Sequence, residues 1–344
     1  MENWINVNNA SEDIVLSSRI RLARNLKGIP FPNKLTVDSA KDVVEKVENA
    51  IFTIPNLKDN LKSNHLWEND NETNKMYLER HLISRGLIKH AKGSAFLIDE
   101  DETISIMINE EDHLRLQTIT SGLNFKEVFK SINELDDLLE ENLEYAFHEK
   151  LGYITACPTN LGTGLRASAM VHLPALTANK DIVKVLNGIT QLGMTIRGLY
   201  GEGSKAYGNL YQISNQITLG RTEEQIITSL EGIVKQIIEQ EKLARERMKT
   251  KYKYEVEDKI FRSLGILKSA RILTAREVLN LLSNVRLGVE EGIISNVDKS
   301  ILNNLLINTQ SASIKKSSQK ELTDMEEKIE RAKIVKEGLK GIEL

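Results

Sequence analysis

The sequence predicts an α+β fold: strands and helices mixed over residues 1–253, then an all-helical region over 254–344. Residues 16–26, 104–108 and 209–220 alternate polar and apolar side chains with the period of two that a half-buried strand requires. Residues 177–193 and 222–248 instead repeat apolar residues at helical spacing, and after about 254 only short helical patterns remain. With 344 residues and 40% hydrophobic content the chain can build a large core, and its length suggests two domains.

Composition excludes several classes of function. Forty-six basic residues against 49 acidic ones leave a net charge of −3, so no bulk charge advertises nucleic acid or an anionic membrane as a partner. The start, MENWINVNNASED, has no basic segment followed by an apolar one, and no run approaches twenty apolar residues, which predicts a cytoplasmic protein. A single cysteine excludes an internal disulfide, and six scattered histidines show no paired metal-ligand spacing. The stretch 309–320, rich in Ser, Lys and Gln, reads as an exposed, flexible connection.

Taken in order, the first element is SEDIVLSSRIRLARNL, where Arg19 and Arg21 alternate with Ile20 and Leu22. In a strand the two guanidinium groups point the same way and form an anion clamp; otherwise the cluster, with Arg24, is a solvated surface. Residues 38–51 read as a helix with a capping Asp or Ser, and 75–86 as a helix ending at Gly86 and carrying His81. Residues 94–109 read as a hairpin whose second strand delivers NEEDHLR. At a strand end Glu111 and Arg115 reach one site; in a helix the same letters are an exposed charged turn. Residues 131–150 form an acidic amphipathic helix, and a short strand at 153–156 leads into Cys157. The helix 177–193 closes at Gly193, and a strand then delivers Arg197 to a glycine-rich turn carrying Glu202. Strand 209–220 precedes the long helix.

The chain is organised around CPTNLGTGLRASAMVHLP, residues 157–174. Gly162 and Gly164 suit either a tight turn or close approach to a phosphate. A P-loop would need Lys followed by Ser or Thr after the second glycine, whereas Leu165 and Arg166 follow it here, and the HRD and DFG triplets of protein kinases are absent.

This segment closely resembles the signature of the guanidino (phosphagen) kinases, and LSSRIRLARNL, NEEDHLRLQ and IRGLYGEGSKAYGNLYQISNQITLG match the same family in the same order. The resemblance implies a catalytic domain with a mainly antiparallel sheet flanked by helices. It also implies ATP as phosphoryl donor, with Mg2+ held mainly by the nucleotide phosphates and no dedicated protein metal site. Arg19, Arg21, Arg115, Arg166 and Arg197 correspond to the family's arginine cage. The wider nucleotide site then includes Ser17, Ser18, Ile20, His81, Ala167, Ser168, Ala169, Met170, Gly198, Leu199, Tyr200, Gly201 and Glu202. Lys205 stands where relatives often carry an acid.

Guanidinium chemistry explains the remaining residues. Its pKa lies above 12, so reaching the neutral nucleophile at pH 7 costs about 8–9 kcal/mol. A carboxylate accepting two parallel N–H bonds fixes the acceptor's plane, and Glu111 and Glu202 are assigned to this clamp, one of them as general base. Cys157 is either a third polar or anionic group facing the guanidinium or a buried, inert thiol.

Within the family, the resemblance is to enzymes that phosphorylate arginine in proteins. Small-molecule members carry a helical domain ahead of the first arginine motif, where only sixteen residues precede Ser17 here. A kinase for free arginine and a non-catalytic adaptor are the alternatives. By resemblance the protein is a homodimer that marks misfolded proteins or a heat-shock repressor for an AAA+ protease and works with a small zinc-binding activator. Protein-directed members also share a C-terminal Arg-Asp-x-x-Arg-Ala motif that binds phosphoarginine. It falls here on EKIERA, keeping Arg331 and Ala332 but placing Glu327 and Lys328 where the charges should be reversed. The sequence therefore predicts a weak phosphoarginine response, with these charges forming i,i+4 pairs on a solvated helix.

Overall fold

The computed structural model describes residues 1, 3–6, 14–198, 206–318 and 320–342. Strand β1 (Val15–Arg24) is followed by α1 (Val37–Phe52), α2 (Pro55–Asn60) and β2 (Leu61–His65). The cap of α1 is Thr36, not Asp38 or Ser39: its extended backbone lets the hydroxyl accept the Ser39 N–H.

The helix expected over 75–86 divides into α3 (Asn71–Glu79) and α4 (Arg85–Lys89). Between them His81 takes a left-handed φ of 63°, which no continuous helix accommodates. Gly86 sits inside α4 rather than ending a helix, because a Cβ there would lie 2.3 Å from Glu110 Oε1.

The expected hairpin forms as β3 (Ala95–Asp99) and β4 (Ile104–Ile108), and β5 (Leu114–Ser121) follows. Helix α5 (Phe125–Glu140) starts earlier than read and stops before Leu143, leaving 147–153 to a small hairpin, β6 (Phe147–His148) and β7 (Gly152–Tyr153). After β8 (Leu165–His172) come α6 (Pro174–Ala178) and α7 (Ile182–Gln191), split at Lys180 with φ 62°. Strands β9 (Met194–Gly198) and β10 (Leu210–Asn215) precede α8 (Glu223–Lys251), which opens on a Thr222–Gln225 capping box. Beyond Tyr252 lie α9 (Lys253–Ser269), α10 (Ala275–Glu290), α11 (Lys299–Asn308), α12 (Ser311–Ser318) and α13 (Asp324–Gly338).

Eight strands form one sheet in the order β2-β3-β4-β5-β1-β8-β10-β9, with every neighbouring pair antiparallel. One face, carrying Ile20, Leu22, Leu116, Leu165, Ala167 and Ala169, shares a core with Val47 of α1, Ile132 of α5 and Leu230 of α8. Each of the buried Ile, Leu and Val side chains contributes about 1.5–3 kcal/mol. On the other face Ile119 and Met170 join a second core with Leu264, Leu282, Leu302 and Val335 of the C-terminal helices. The helical region thus covers one end of the face whose other end carries the arginines.

Within the stretch read as a flexible connection, residues 311–318 form the helix α12. Ala312 and Ile314 are buried in α12, and Glu79 of α3 accepts the Ala312 and Ser313 N–H groups at 2.9 and 2.8 Å, capping the helix from outside.

Candidate functional site

Strand register gathers the arginines. Arg19 and Arg21 lie on the face of β1 opposite Ile20 and Leu22, with Arg21 directly across from Arg166 on β8 and Ala23 across from Arg115 on β5. Arg197 enters from edge strand β9. Arg21, Arg115, Arg166 and Arg197 line a cavity of about 430 Å3 together with Glu110, Glu111, Cys157, Thr159, Asn160, Gly164, Thr195 and Gln216. Arg19 lies next to this lining, its Nε donating to Ser168 Oγ at 3.4 Å.

Like charges directly opposite on a sheet repel. Burial first, then Arg166 and Arg115, hold the Arg19 pKa down at about 10. Burial lowers that of Arg21 further, with Arg19, Arg115 and Arg166 adding to it and Glu110 opposing. The buried Nε of Arg21 has no hydrogen-bond partner among the described residues. A buried donor left unmade is costly, and a polyphosphate would satisfy it while neutralising the cluster.

The turn between β4 and β5 shows why NEEDH has that composition. Asn109 takes a left-handed φ of 59°, and its amide donates to the carbonyls of Ala40 and Gly93, both at 2.8 Å. Glu110 turns inward, pairing with Arg115 Nη1 at 2.8 Å and accepting from Ser84 Oγ and the Glu111 N–H. Burial opposes its ionisation, but Arg115, these hydrogen bonds and Arg21 outweigh it and hold the carboxyl below its ordinary pKa. Asp112 accepts from Asn25 Nδ2 at 2.7 Å and from the Ala156 N–H at 2.6 Å, tying this turn to the segment that leads to Cys157. His113 accepts the Leu26 N–H on Nδ1, so its Nε2 is the protonated nitrogen that donates to the Pro30 carbonyl.

Glu111 is left facing the cavity, 47% exposed and 3.4 Å from Arg115 Nη2. Desolvation raises its pKa, Glu110 and Asp112 add to the rise, and Arg115 and a hydrogen bond with Cys157 oppose it. Cys157 is only partly buried: its Sγ lies 3.0 Å from Thr159 Oγ1, on the cavity wall. Gly164, at φ 65°, permits close approach to β1, since a Cβ would stand 2.6 Å from the Ala23 carbonyl oxygen.

Several expected positions fall elsewhere. Ile20, Ala167 and Ala169 point into the core on the opposite face, and the Ser18 hydroxyl donates to the Gly122 carbonyl at 2.7 Å and accepts the Asn124 N–H. Both β1 and β8 are interior strands whose backbone groups serve the ladder, and these four side chains lie on the face opposite the arginines. Ser17 is buried and Met170 lies in the second core. Ser168 holds Arg19, and Gly198 ends β9. His81 is buried beside Arg19 and Trp4, and desolvation followed by the Arg19 charge pushes its pKa down to about 3. Leu199, Tyr200, Gly201, Glu202 and Lys205 lie outside the described residues.

Glu110 and Asp112 escaped the sequence reading, although both flank Glu111 in the quoted motif. Arg24 parts from Arg19 and Arg21: it is buried on the other face, pairs with Asp136 at 2.5 Å and donates to the Thr163 carbonyl.

The C-terminal motif is not a solvated helix face. Arg331 is 2% exposed, donates to the carbonyls of Thr309 at 2.7 Å and Leu273 at 3.1 Å, and pairs with Glu327. Lys328 pairs with Asp324 at the surface, and Ala332 is buried.

Comparison with known proteins bears on this arrangement. Residues 42–244 match the ATP:guanido phosphotransferase C-terminal catalytic domain, and 253–343 match the protein-arginine kinase McsB C-terminal domain. A protein-arginine kinase of Clostridium novyi (strain NT) is 97% identical over 344 residues, all of both chains, and one of Clostridium acetobutylicum is 57% identical over 99% of this chain and 100% of its own. Among solved structures, lombricine kinase superposes with TM-score 0.58 at 28% identity, covering 69% of this chain and 70% of its own. The duplicated taurocyamine kinase of Schistosoma mansoni shares the fold, with TM-score 0.62 at 24% identity over 81% of this chain and 41% of its own. With one match over more than half its length and curated relatives aligned from end to end, the chain belongs to the ATP:guanido phosphotransferase family.

Proposed function

We propose that this chain transfers the γ-phosphoryl group of ATP to the guanidinium of arginine residues in proteins. The observation that carries the reading is one cavity in which four arginines meet Glu111 and Cys157. Relatives named protein-arginine kinase, one of them 97% identical over the full length, support a protein acceptor.

The arginines bind the triphosphate and offset the charge on the γ-phosphoryl oxygens as the bond to the leaving ADP oxygen breaks. Mg2+ on the nucleotide would add to that neutralisation; the nearby acids, Glu110 and Asp112, are engaged by Arg115, Asn25 and backbone N–H groups. Glu111 accepts N–H bonds from the acceptor guanidinium, orients its nitrogen and takes one proton as the N–P bond forms. A raised carboxyl pKa suits a base, because it narrows the gap to the acid it must deprotonate. Cys157 faces the same group, and Glu202 is the second carboxylate of the clamp. Marking of substrates for an AAA+ protease, a zinc-binding activator and a homodimeric state extend this proposal on family resemblance.

Incubation with ATP, Mg2+ and unfolded casein, followed by mass spectrometry for acid-labile phosphate on arginine, tests the reaction. Phosphoarginine in casein formed with far higher efficiency than from free arginine is the expected result. Comparable efficiency on free arginine would favour a small-molecule kinase.

A further inference from the structure

Arg24 closes β1 on the face turned away from the cavity, yet its contacts reach the loop that carries Cys157. Its Nε donates to the two carboxylate oxygens of Asp136 on α5 at 3.1 and 3.0 Å, and its Nη2 to one of them at 2.5 Å. Nη1 donates to the carbonyls of Ala23 and Thr163, both at 3.0 Å. The guanidinium carbon stands 3.5 Å from the centroid of the Tyr153 ring, within the range of a cation–π contact. Arg24 is 2% exposed, so these partners take the place of water.

Tyr153 and Thr163 are the two ends of one loop. The Tyr153 N–H donates to the Gly162 carbonyl at 2.8 Å, and the Gly162 N–H donates back to the Tyr153 carbonyl at 3.4 Å, which closes a neck. Glycines let the neck and Arg24 pack this closely: a Cβ at Gly152 would lie 2.4 Å from the Gly162 carbonyl oxygen, and one at Gly164 would lie 2.8 Å from Arg24 Nη1. The tip of the loop brings Cys157, Thr159 and Asn160 to the cavity wall that Glu111 shares. Thr218 and Asp112 hold the tip, through the carbonyls of Thr159 and Leu161 and the Ala156 N–H. Arg24 touches both ends of the neck at once.

We propose that Arg24 is a positioning residue for phosphoryl transfer. It fixes the neck of the loop 153–163 and thereby sets where Cys157, Thr159 and Asn160 stand against Glu111 and the acceptor guanidinium. The inference rests on the acceptor reading above and adds to it a group that touches neither substrate. A buried Arg–Asp pair is by itself weak evidence of added stability, and pairing with Asp136 needs only one edge of the guanidinium fork. The other edge and the flat face are turned to the loop. Lysine would keep a charge beside Asp136 but has no planar face to lay on Tyr153 and no second edge for Thr163. A displacement of about 1 Å at the reacting groups can cost about a hundredfold in rate, so a loosened neck is felt at the tip.

Arg24→Lys and Tyr153→Leu, made singly and together in the full-length protein, test this with ATP, Mg2+ and unfolded casein. Each single variant should lower kcat about tenfold to a hundredfold and leave the ATP KM within about threefold, because the strand ladder sets Arg19, Arg21 and Arg115. The double variant should fall no further than the worse single one, as two groups in one grip require. Cys157 is the only cysteine of the chain, so its alkylation by iodoacetamide reports the loop without turnover. In both single variants the thiol should react several-fold faster than in the parent, as the loop leaves the cavity wall.

Parent values of kcat and of the alkylation rate in Tyr153→Leu, measured well below its thermal midpoint, would make these contacts purely structural and overturn the proposal, whatever the stability of Arg24→Lys. A lower kcat without faster alkylation would place the effect outside the loop and overturn it as well. If the parent forms no phosphoarginine on casein, the acceptor reading falls and this role with it; parent turnover that neither variant alters removes Arg24 alone.

Discussion

At the scale of single residues, the division of labour between Glu110 and Glu111 decides what the site can do. Glu110 is buried, paired with Arg115 and held ionised, so it positions a cation; Glu111 is half exposed with its pKa raised, so it can exchange a proton with a ligand. Glu111→Gln keeps the size of the side chain and removes the base. It should lower kcat about a hundredfold or more, leave the ATP KM within about threefold, and flatten the acid limb of the rate profile, where the wild-type rate falls as Glu111 protonates. Steady-state kinetics between pH 5 and 8 checks this, and an unaltered kcat would remove Glu111 from the acceptor clamp. Alternation in a strand assigns Arg19 and Arg21 to one face, whereas only the family resemblance places Arg115, Arg166 and Arg197 with them. The sequence could not separate neighbouring acids in one turn, since the choice between Glu110 and Glu111 depends on Ser84 and Gly86, which reach the turn only after folding. For a related reason it could not show that Ser18, Ile20, Ala167 and Ala169 face away from the arginines: membership of a motif says nothing about which side of a sheet a side chain occupies.

At the scale of elements, strands were more legible than helices. Alternation in 16–26 and 104–108 is a local signal, and β1 and β4 formed there. The helix limits depended on distant partners. Residues 309–320 lack the apolar periodicity of a buried helix, yet α12 forms because a carboxylate from α3 satisfies its first N–H groups. Glu79→Ala should therefore cost about 1–2 kcal/mol locally, read as faster hydrogen exchange across 311–318 with protection of β1 unchanged. Equal exchange in both proteins would mean that Ala312 and Ile314 hold the helix unaided. Nearby, Arg331 is committed to two carbonyls and Glu327, leaving no free fork for a phosphorylated ligand. Added phosphoarginine should thus change kinase activity by less than about twofold, below the range of a real coupling between sites. A titration giving strong activation or larger oligomers in light scattering would show that a receptor exists elsewhere.

At the scale of the whole molecule, the helical region is built into the catalytic face. Its core takes in Ile119 and Met170 from the sheet and Trp4 from the N-terminal segment, and two histidines are buried along this junction. His81 lies against the Trp4 ring and Arg19; His172, on β8, bonds to Ser283 at 2.8 Å and faces Glu290, with Arg245 and Arg286 close by. Desolvation depresses both pKa values, to about 3 for His81, with Arg19 adding there; at His172 Glu290 opposes the shift and the two arginines reinforce it. Both are therefore neutral in the folded protein under conditions where the unfolded chain binds protons. Stability must rise with pH wherever the unfolded state holds more protons, so this contribution is complete above the unfolded value of 6.5 and is lost as pH falls towards the folded value. For His81 alone the loss between pH 7 and pH 5 is about 2 kcal/mol, and His172 acts in the same direction. The raised carboxyl pKa values of Glu111 and Asp112 act in the opposite sense, so the total is less diagnostic than a difference between proteins. Urea unfolding at pH 7 and pH 5 should show the wild type losing about 2 kcal/mol more than His81→Gln, which cannot take up the proton. Parallel losses in the two proteins would mean that the His81 imidazole is already charged when folded, and that the junction beside Arg19 tolerates a second cation.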